Sequence, residues 1–320
     1  MRPPACAHRR SPAPRQRGAA LLIALLVMSL VAVAASSMVL HQQRALEAEA
    51  AERARTQAGW ILDGAIDWAR LILREDGRTG QVDHAGEPWA VELAEARLST
   101  FLAADSEHNA DADLDAFLSG RIVDLQARYN LARLAGDDGK PVETELAALR
   151  RLCDAAGLGS GIAQQLGDGM VKALDGGSTD GPLRPRRIAQ LAWLGLEPAT
   201  IAQLEPLVVL LPTRTPVNVN TAPREVLLAA VDGIDIGTAE RIVQARQQKP
   251  IRSMDELREL LPSETRLDEG RITVGSRFFE VQGRVRLGDR TLEERAVVER
   301  RGGSEVLVRQ RERLSLHAPA

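Results

Sequence analysis

The pattern of apolar and polar positions changes character three times along the chain. From Ala19 to Leu40 the run AALLIALLVMSLVAVAASSMVL is charge-free and almost wholly apolar, about the length a helix needs to cross the hydrocarbon core of a bilayer. The next stretch, HQQRALEAEAAERARTQAGWILDGAIDWARLILRED, has no proline, is rich in Ala, Leu, Glu and Arg, and sets Ile61, Ala65, Trp68 and Ile72 at helical spacing. One helix is therefore expected from Ala19 to about Arg74, roughly 80 Å long at 1.5 Å per residue. From about Glu143 to Leu261, helical segments are punctuated by Gly and Pro turns. From Ile272 to Leu316 the period drops to two. Phe279, Val281, Gly283, Val285 and Leu287 alternate with polar neighbours, and AVVER and EVLVRQRERL repeat the pattern around Gly288-Asp289 and Gly302-Gly303. That pattern reads as an antiparallel meander of three strands.

The helical stretch contains a repeat. Gly157, Gly195 and Gly233 lie 38 residues apart, and each is followed at once by an apolar residue (Leu158, Leu196, Ile234). Further apolar residues come six places on (Ala163, Ile201, Ala239) and nine places on (Leu166, Leu204, Ile242). Three helix, glycine turn, helix units sharing one core are expected. Between the first helix and this repeat, HAGEPWAVEL and LSGRIVDLQARYNLARL carry Gly and Pro breaks and short β-branched runs, with Ile122 and Val123 leading into Asp124. Short strands are expected there.

Charge adds orientation. The formal net charge is -3, but five of the 41 basic residues (Arg2, Arg9, Arg10, Arg15, Arg17) and none of the 44 acidic ones precede Ala19, leaving 36 against 44, a net of -8, in the rest. The positive-inside rule keeps the arginines cytoplasmic and sends the C-terminal body across the membrane; an ordinary signal peptide is the alternative, disfavoured because the apolar run is longer than a typical signal core and no clear A-x-A site follows before the helix continues. So acidic a body is a poor nucleic-acid ligand. With 44% hydrophobic and only 3% aromatic residues, its core must be mostly aliphatic.

Candidate chemistry is sparse. Cys6 and Cys153 fall on opposite sides of the membrane segment, so no intrachain disulfide is expected. His8, His41, His84, His108 and His317 lack zinc-ligand spacing. No nucleophile elbow, Walker A loop or H-E-x-x-H motif occurs. The series Asp105, Glu107, Asn109, Asp111, Asp113, Asp115 begins like an EF-hand loop but has Ala110 at the glycine position and Ala116 at the bidentate glutamate; it reads as a solvated acidic loop.

These features together resemble the K-type minor pseudopilins of type II secretion systems. RQRGAALLIALLV is similar to a prepilin-peptidase site, which implies cleavage between Gly18 and Ala19 and N-terminal methylation of the mature chain. Most pilin-type subunits carry Glu at the fifth mature position; here it is Ile23, as in the K-type pattern, where a subunit with nothing above it needs no carboxylate and an unpaired one in lipid would be costly. The segments around Pro88-Trp89 and around Asp124, Gln126, Tyr129, Asn130 and Leu131, and the VNVNTA element from Val217, resemble further family sequence.

The resemblance implies an α+β fold: a pilin-like long N-terminal helix on an antiparallel sheet, with a large inserted all-α domain containing helix-hairpin-helix-like repeats. The corresponding boundaries are a leader at 1–18, the transmembrane and periplasmic parts of the first helix at 19–40 and 41–75, the first part of the pilin domain at 76–135, the inserted domain at 136–263 and the late strands at 264–320. It implies a non-enzymatic tip subunit that is single-pass in the inner membrane with a periplasmic body and helps prime the pseudopilus. Its partners would be I-type and J-type minor pseudopilins, the major pseudopilin, prepilin peptidase and the inner-membrane assembly platform. Family members often bind calcium in an acidic loop, of which ALDGGSTDGPLRP keeps only Asp175 and Asp180.

The rival reading is a membrane-anchored DNA receptor, because the stretch from Val217 to Leu257 also resembles DNA-binding helix-hairpin-helix modules. In those the turn reads G-I-G, with backbone N–H groups facing a phosphate. Here it is Gly233-Ile234-Asp235, and residues 216 to 262 hold six basic against seven acidic residues. A carboxylate stands where phosphate would sit, so no nucleic-acid partner is expected.

Overall fold

The computed structural model describes residues 19–99, 116–136, 138–174, 181–288, 290–302 and 305–317. Gly18, Asp175, Asp180 and the acidic series from Asp105 to Asp115 lie outside these residues. The chain divides into two units, Met1–Gln57 and Ala58–Ala320.

The described part of the first unit is residues 19–57 of helix α1, apolar to Leu40 and charged beyond it; the helix itself runs unbroken over Ala19–Thr79, five residues beyond the expected end. Its most apolar window has a mean hydropathy of 2.6 and buries nothing against the chain, and among the described residues α1 is the one helix long and apolar enough to span a membrane.

In the second unit, the rest of α1 packs on a five-stranded antiparallel sheet. In order across it, the strands are β1 (Leu93–Arg97), β2 (Ala116–Asp124), β7 (Phe278–Leu287), β8 (Arg290–Arg301) and β9 (Glu305–His317). The last three form the meander expected from the period-two pattern. Gly288 and Gly302 turn it at φ 58° and 57°, the left-handed region open to glycine without steric cost. Phe279, Val281 and Val285 of β7 face the helix, and from α1 the side chains of Ala58, Leu62, Ile66, Ala69 and Leu73 complete that core. The buried stripe therefore lies one residue on from Ile61, Ala65, Trp68 and Ile72, which are partly buried or, for Trp68, 50% exposed. The wall of the sheet is close, and Ala58, Gly59 and Ala69 let α1 approach it where a stripe containing Trp68 could not.

The helical domain is inserted between β2 and β7. It contains α2 (Glu143–Ala155), α3 (Ser160–Leu174), α4 (Pro198–Leu204), α5 (Arg224–Ala230), α6 (Ile236–Gln248) and α7 (Met254–Leu260), with a 3₁₀ helix at Ile188–Leu194. The three repeat glycines do the same job in each copy: Gly157, Gly195 and Gly233 adopt φ 70°, 81° and 79°, closing α2–α3, the 3₁₀ helix and α4, and α5–α6. The apolar residues six and nine places on are all buried in one shared core. The insertion is not purely helical. Two-residue parallel pairings, β3 (Tyr129–Asn130) with β4 (Val208–Val209) and β5 (Val217–Asn218) with β6 (Ile272–Thr273), tie its entering and leaving segments to its interior.

Candidate functional site

Nothing in the described residues resembles a catalytic constellation, and the polar groups that matter lie where the sheet meets the helical domain. The VNVNT element is buried over Val217, Asn218, Val219 and Asn220, so its polar residues must find partners inside the protein. Asn218 Nδ2 donates to the Asp83 carbonyl, to Asp124 Oδ2 and to Ser276 Oγ, each at 3.0 Å. Its Oδ1 accepts from the Asn220 N–H at 3.0 Å. Asn220 in turn donates to the Ile251 carbonyl at 2.9 Å and accepts from the Ile251 N–H at 2.9 Å, a two-way bond that fixes the loop before α7.

The end of β2 supplies the other half. Asp124 accepts from the Gln126 N–H at 2.8 Å, from Thr221 Oγ1 at 2.6 Å and from Ser276 Oγ at 2.7 Å, besides Asn218. Each of these donors is neutral, and burial pushes the Asp124 carboxyl above its usual range against the pull of those bonds. Gln126 bridges the Pro216 carbonyl and the Arg277 N–H. Asn130 accepts from the Ala132 and Leu211 N–H groups and donates to Thr213 and Thr215. Two of the segments picked out by family resemblance, the end of β2 with its turn and the VNVNT element, thus form one joint with the lead into β7. A small apolar cluster of Leu125, Val209, Leu211 and Phe278 lies within it.

A second polar cluster belongs to the helical domain itself. Glu145 accepts from Tyr129 Oη at 2.7 Å and pairs with Arg133 at 2.8 Å and Arg271 at 3.2 Å. Burial opposes its charge, but Arg133 foremost and then Tyr129 and Arg271 hold its carboxyl below the usual range.

The hairpin turn is exposed and already occupied. Asp235 caps α6, its Oδ1 accepting from the Thr238 N–H at 2.7 Å, and that bond keeps its carboxyl ionised below the usual range. The anion at this helix N-terminus is the chain's own. Ile234 is partly buried and Gly233 supplies the positive φ. At the other end of the chain, Ala19 and Ile23 lie on exposed helix.

Sequence reasoning marks Asp124, Gln126, Asn130 and the VNVNTA asparagines Asn218 and Asn220 only by resemblance, and misses Asp83, Ser276 and the bonds that join them all. Asparagine alternating with valine in a wholly buried stretch is the available signal.

A long helix on an antiparallel meander, carrying an inserted helical domain between early and late strands, is the pilin-like architecture with an added head. The model of the family described as type II secretion system (T2SS), protein K matches residues 217–274, which include the VNVNT element and the hairpin. Type II secretion system protein K of Pseudomonas aeruginosa is 31% identical over 302 residues, covering 86% of each chain. That of Pectobacterium carotovorum is 27% identical over 326 residues, covering 93% of this chain and 96% of the relative. A chain of the crystal structure of the GspK-GspI-GspJ complex from enterotoxigenic Escherichia coli shares the fold with a TM-score of 0.60 at 18% identity, over 82% of this chain and 98% of that one. The chain belongs to the type II secretion system protein K family, whose members are structural pseudopilin components of that machinery. These relatives favour the pseudopilin reading and lend nothing to the DNA receptor.

Proposed function

We propose that this subunit caps the pseudopilus, anchored by α1 in the inner membrane with its body in the periplasm, and primes filament growth without catalysing a reaction. The observation that carries the reading is Ile23, an apolar side chain at the fifth position after Gly18 in the exposed apolar part of α1. A subunit below another needs a carboxylate there to meet its neighbour's amino terminus, and a terminal subunit does not. An inserted domain fastened to the sheet by buried hydrogen bonds adds a second reason, since bulk of that kind obstructs lateral neighbours along a shaft and is free at an end.

In the Escherichia coli crystal structure GspK is in complex with GspI and GspJ, which supports I-type and J-type minor pseudopilins as this chain's partners. The major pseudopilin, prepilin peptidase and the assembly platform complete the set, with processing between Gly18 and Ala19. Asp235 and the balanced charge of the hairpin argue against DNA. Calcium at Asp175 and Asp180 is a further proposal: about 1 mM calcium, in the range of extracellular sites, should raise the melting temperature over EGTA, and no change would remove it.

The test of the partner assignment is co-expression with the cognate I-type and J-type proteins. A stable complex of the three is expected, and mass spectrometry of this subunit within it should begin at Ala19. Failure to co-purify with either would overturn the reading.

A further inference from the structure

At the end of α1 three carboxylates lie together, and one guanidinium pairs two of them. Asp76 on the last turn of α1, and Asp83 and Glu87 on the segment that follows, bring carboxylate oxygens within 4.8 Å of one another. Arg300 of β8 reaches into the group, donating from Nη1 to Asp76 at 2.7 Å and from Nη2 to both Asp83 oxygens at 2.7 and 2.6 Å. It passes over Gly77, where a Cβ would stand 2.8 Å from its Cδ. Glu87 is held by neutral donors instead; its Oε2 accepts from the His84 N–H and from Trp89 Nε1, both at 2.8 Å. The Asp76 side chain is 11% exposed and that of Asp83 1%, so solvent does little to spread the excess negative charge.

The cluster is wired to the joint. Arg300 Nη2 also donates to the Ser276 carbonyl at 2.9 Å, and Asp83 accepts from the Ser276 N–H at 2.6 Å, while Ser276 Oγ holds Asp124. What happens at Asp76 therefore bears on how α1, the sheet and the helical domain are fastened together.

We propose that Asp76 is a proton-operated latch: protonated in mildly acidic surroundings, it leaves Arg300 to pair one ionised aspartate, Asp83, while neutral donors hold Glu87, and the joint tightens; ionised, it adds a further, largely buried negative charge that Arg300 cannot balance. The groups acting on Asp76 are Glu87 and Asp83 from the following segment and Arg300 from β8. Nearby charges are otherwise engaged: Arg277, from the lead into β7, pairs with Glu299, Arg78 on α1 pairs with Glu75, and the His84 ring accepts from the Gly86 N–H. Burial first, then Glu87 and Asp83, with Arg300 opposing, raise the Asp76 carboxyl from 3.8 to about 6. An acid raised in this way favours folding fully below 3.8 and loses that contribution as pH climbs through about 6.

The experiment uses the full chain in detergent micelles, with melting curves between about pH 4 and pH 8 for wild type, Asp76→Asn and Glu87→Gln. Asp76→Asn is expected to melt higher than wild type at pH 8, with the advantage shrinking through about pH 6 and gone near pH 4; the shift corresponds to up to about 100-fold in the unfolding constant. Glu87→Gln should move the midpoint of that change to lower pH. Should the Asn variant fail to fold, the Asp76 carboxyl carbon in ¹³C-labelled wild type gives the same answer, titrating near pH 6. A wild-type midpoint near 4, or an Asp76→Asn difference that does not vary with pH, would overturn the latch.

Discussion

Two elements are fastened to one sheet, and they are fastened by different chemistry. Helix α1 lies on it mainly through Leu62, Ile66 and Leu73 against Phe279, Val281 and Val298, contacts that are strong but non-directional, with the Arg70–Val306 hydrogen bond and the Arg300–Asp76 pair added along its edge. The helical domain meets it through Asp124, Gln126, Asn218, Asn220 and Ser276, with one small apolar cluster among them. An apolar face can slide or repack with modest loss, whereas a buried hydrogen-bond network is satisfied in one arrangement and costly in any other. The first interface supplies stability to the pilin body; the second sets the direction of the head.

The largest expected effect breaks the apolar side. Phe279→Ala removes a fully buried ring that packs edge-on to Trp89, with centroids 5.2 Å apart, and should cost about 3–5 kcal/mol in a global melt. If the loss is under about 1 kcal/mol, the sheet core is not what holds the body together. Next is Asn218→Ala, which leaves Asp124, the Asp83 carbonyl and the Asn220 N–H each short of a partner and should cost about 1–3 kcal/mol. It also sharpens the comparison. Proteolysis or hydrogen exchange should show the helical domain loosening from the sheet before either unfolds, and a single unchanged cooperative transition would mean the joint does not govern orientation.

How much of this is legible in the sequence follows from the range of each interaction. The meander and the glycine repeat can be read because their signals are local: period-two alternation around Gly288 and Gly302, and a 38-residue spacing whose glycines all take positive φ. The buried face of α1 differs from the expected one because helical spacing alone fits Ile61, Ala65, Trp68 and Ile72 as well as Leu62, Ile66, Ala69 and Leu73, and only the closeness of the sheet selects the stripe with small residues. The joint is illegible for a different reason. Asp83, Asp124, Asn218 and Ser276 are joined across up to 193 positions, and no periodicity announces a hydrogen bond between loops.

The smallest expected effect concerns the hairpin. Asp235→Gly restores the G-I-G turn and removes the cap from α6, a loss of a few tenths of a kcal/mol. Duplex DNA affinity should stay negligible in a gel shift at physiological salt, because the hairpin still has no excess of basic residues to replace counterions. Tight, salt-dependent binding by the variant would show that Asp235 alone had been masking a phosphate site.

The claim that organises the rest is that this subunit ends the filament. Immunogold labelling of sheared pseudopili with antibody to the helical domain tests it most directly: label at one end is expected, and label distributed along the shaft would contradict it.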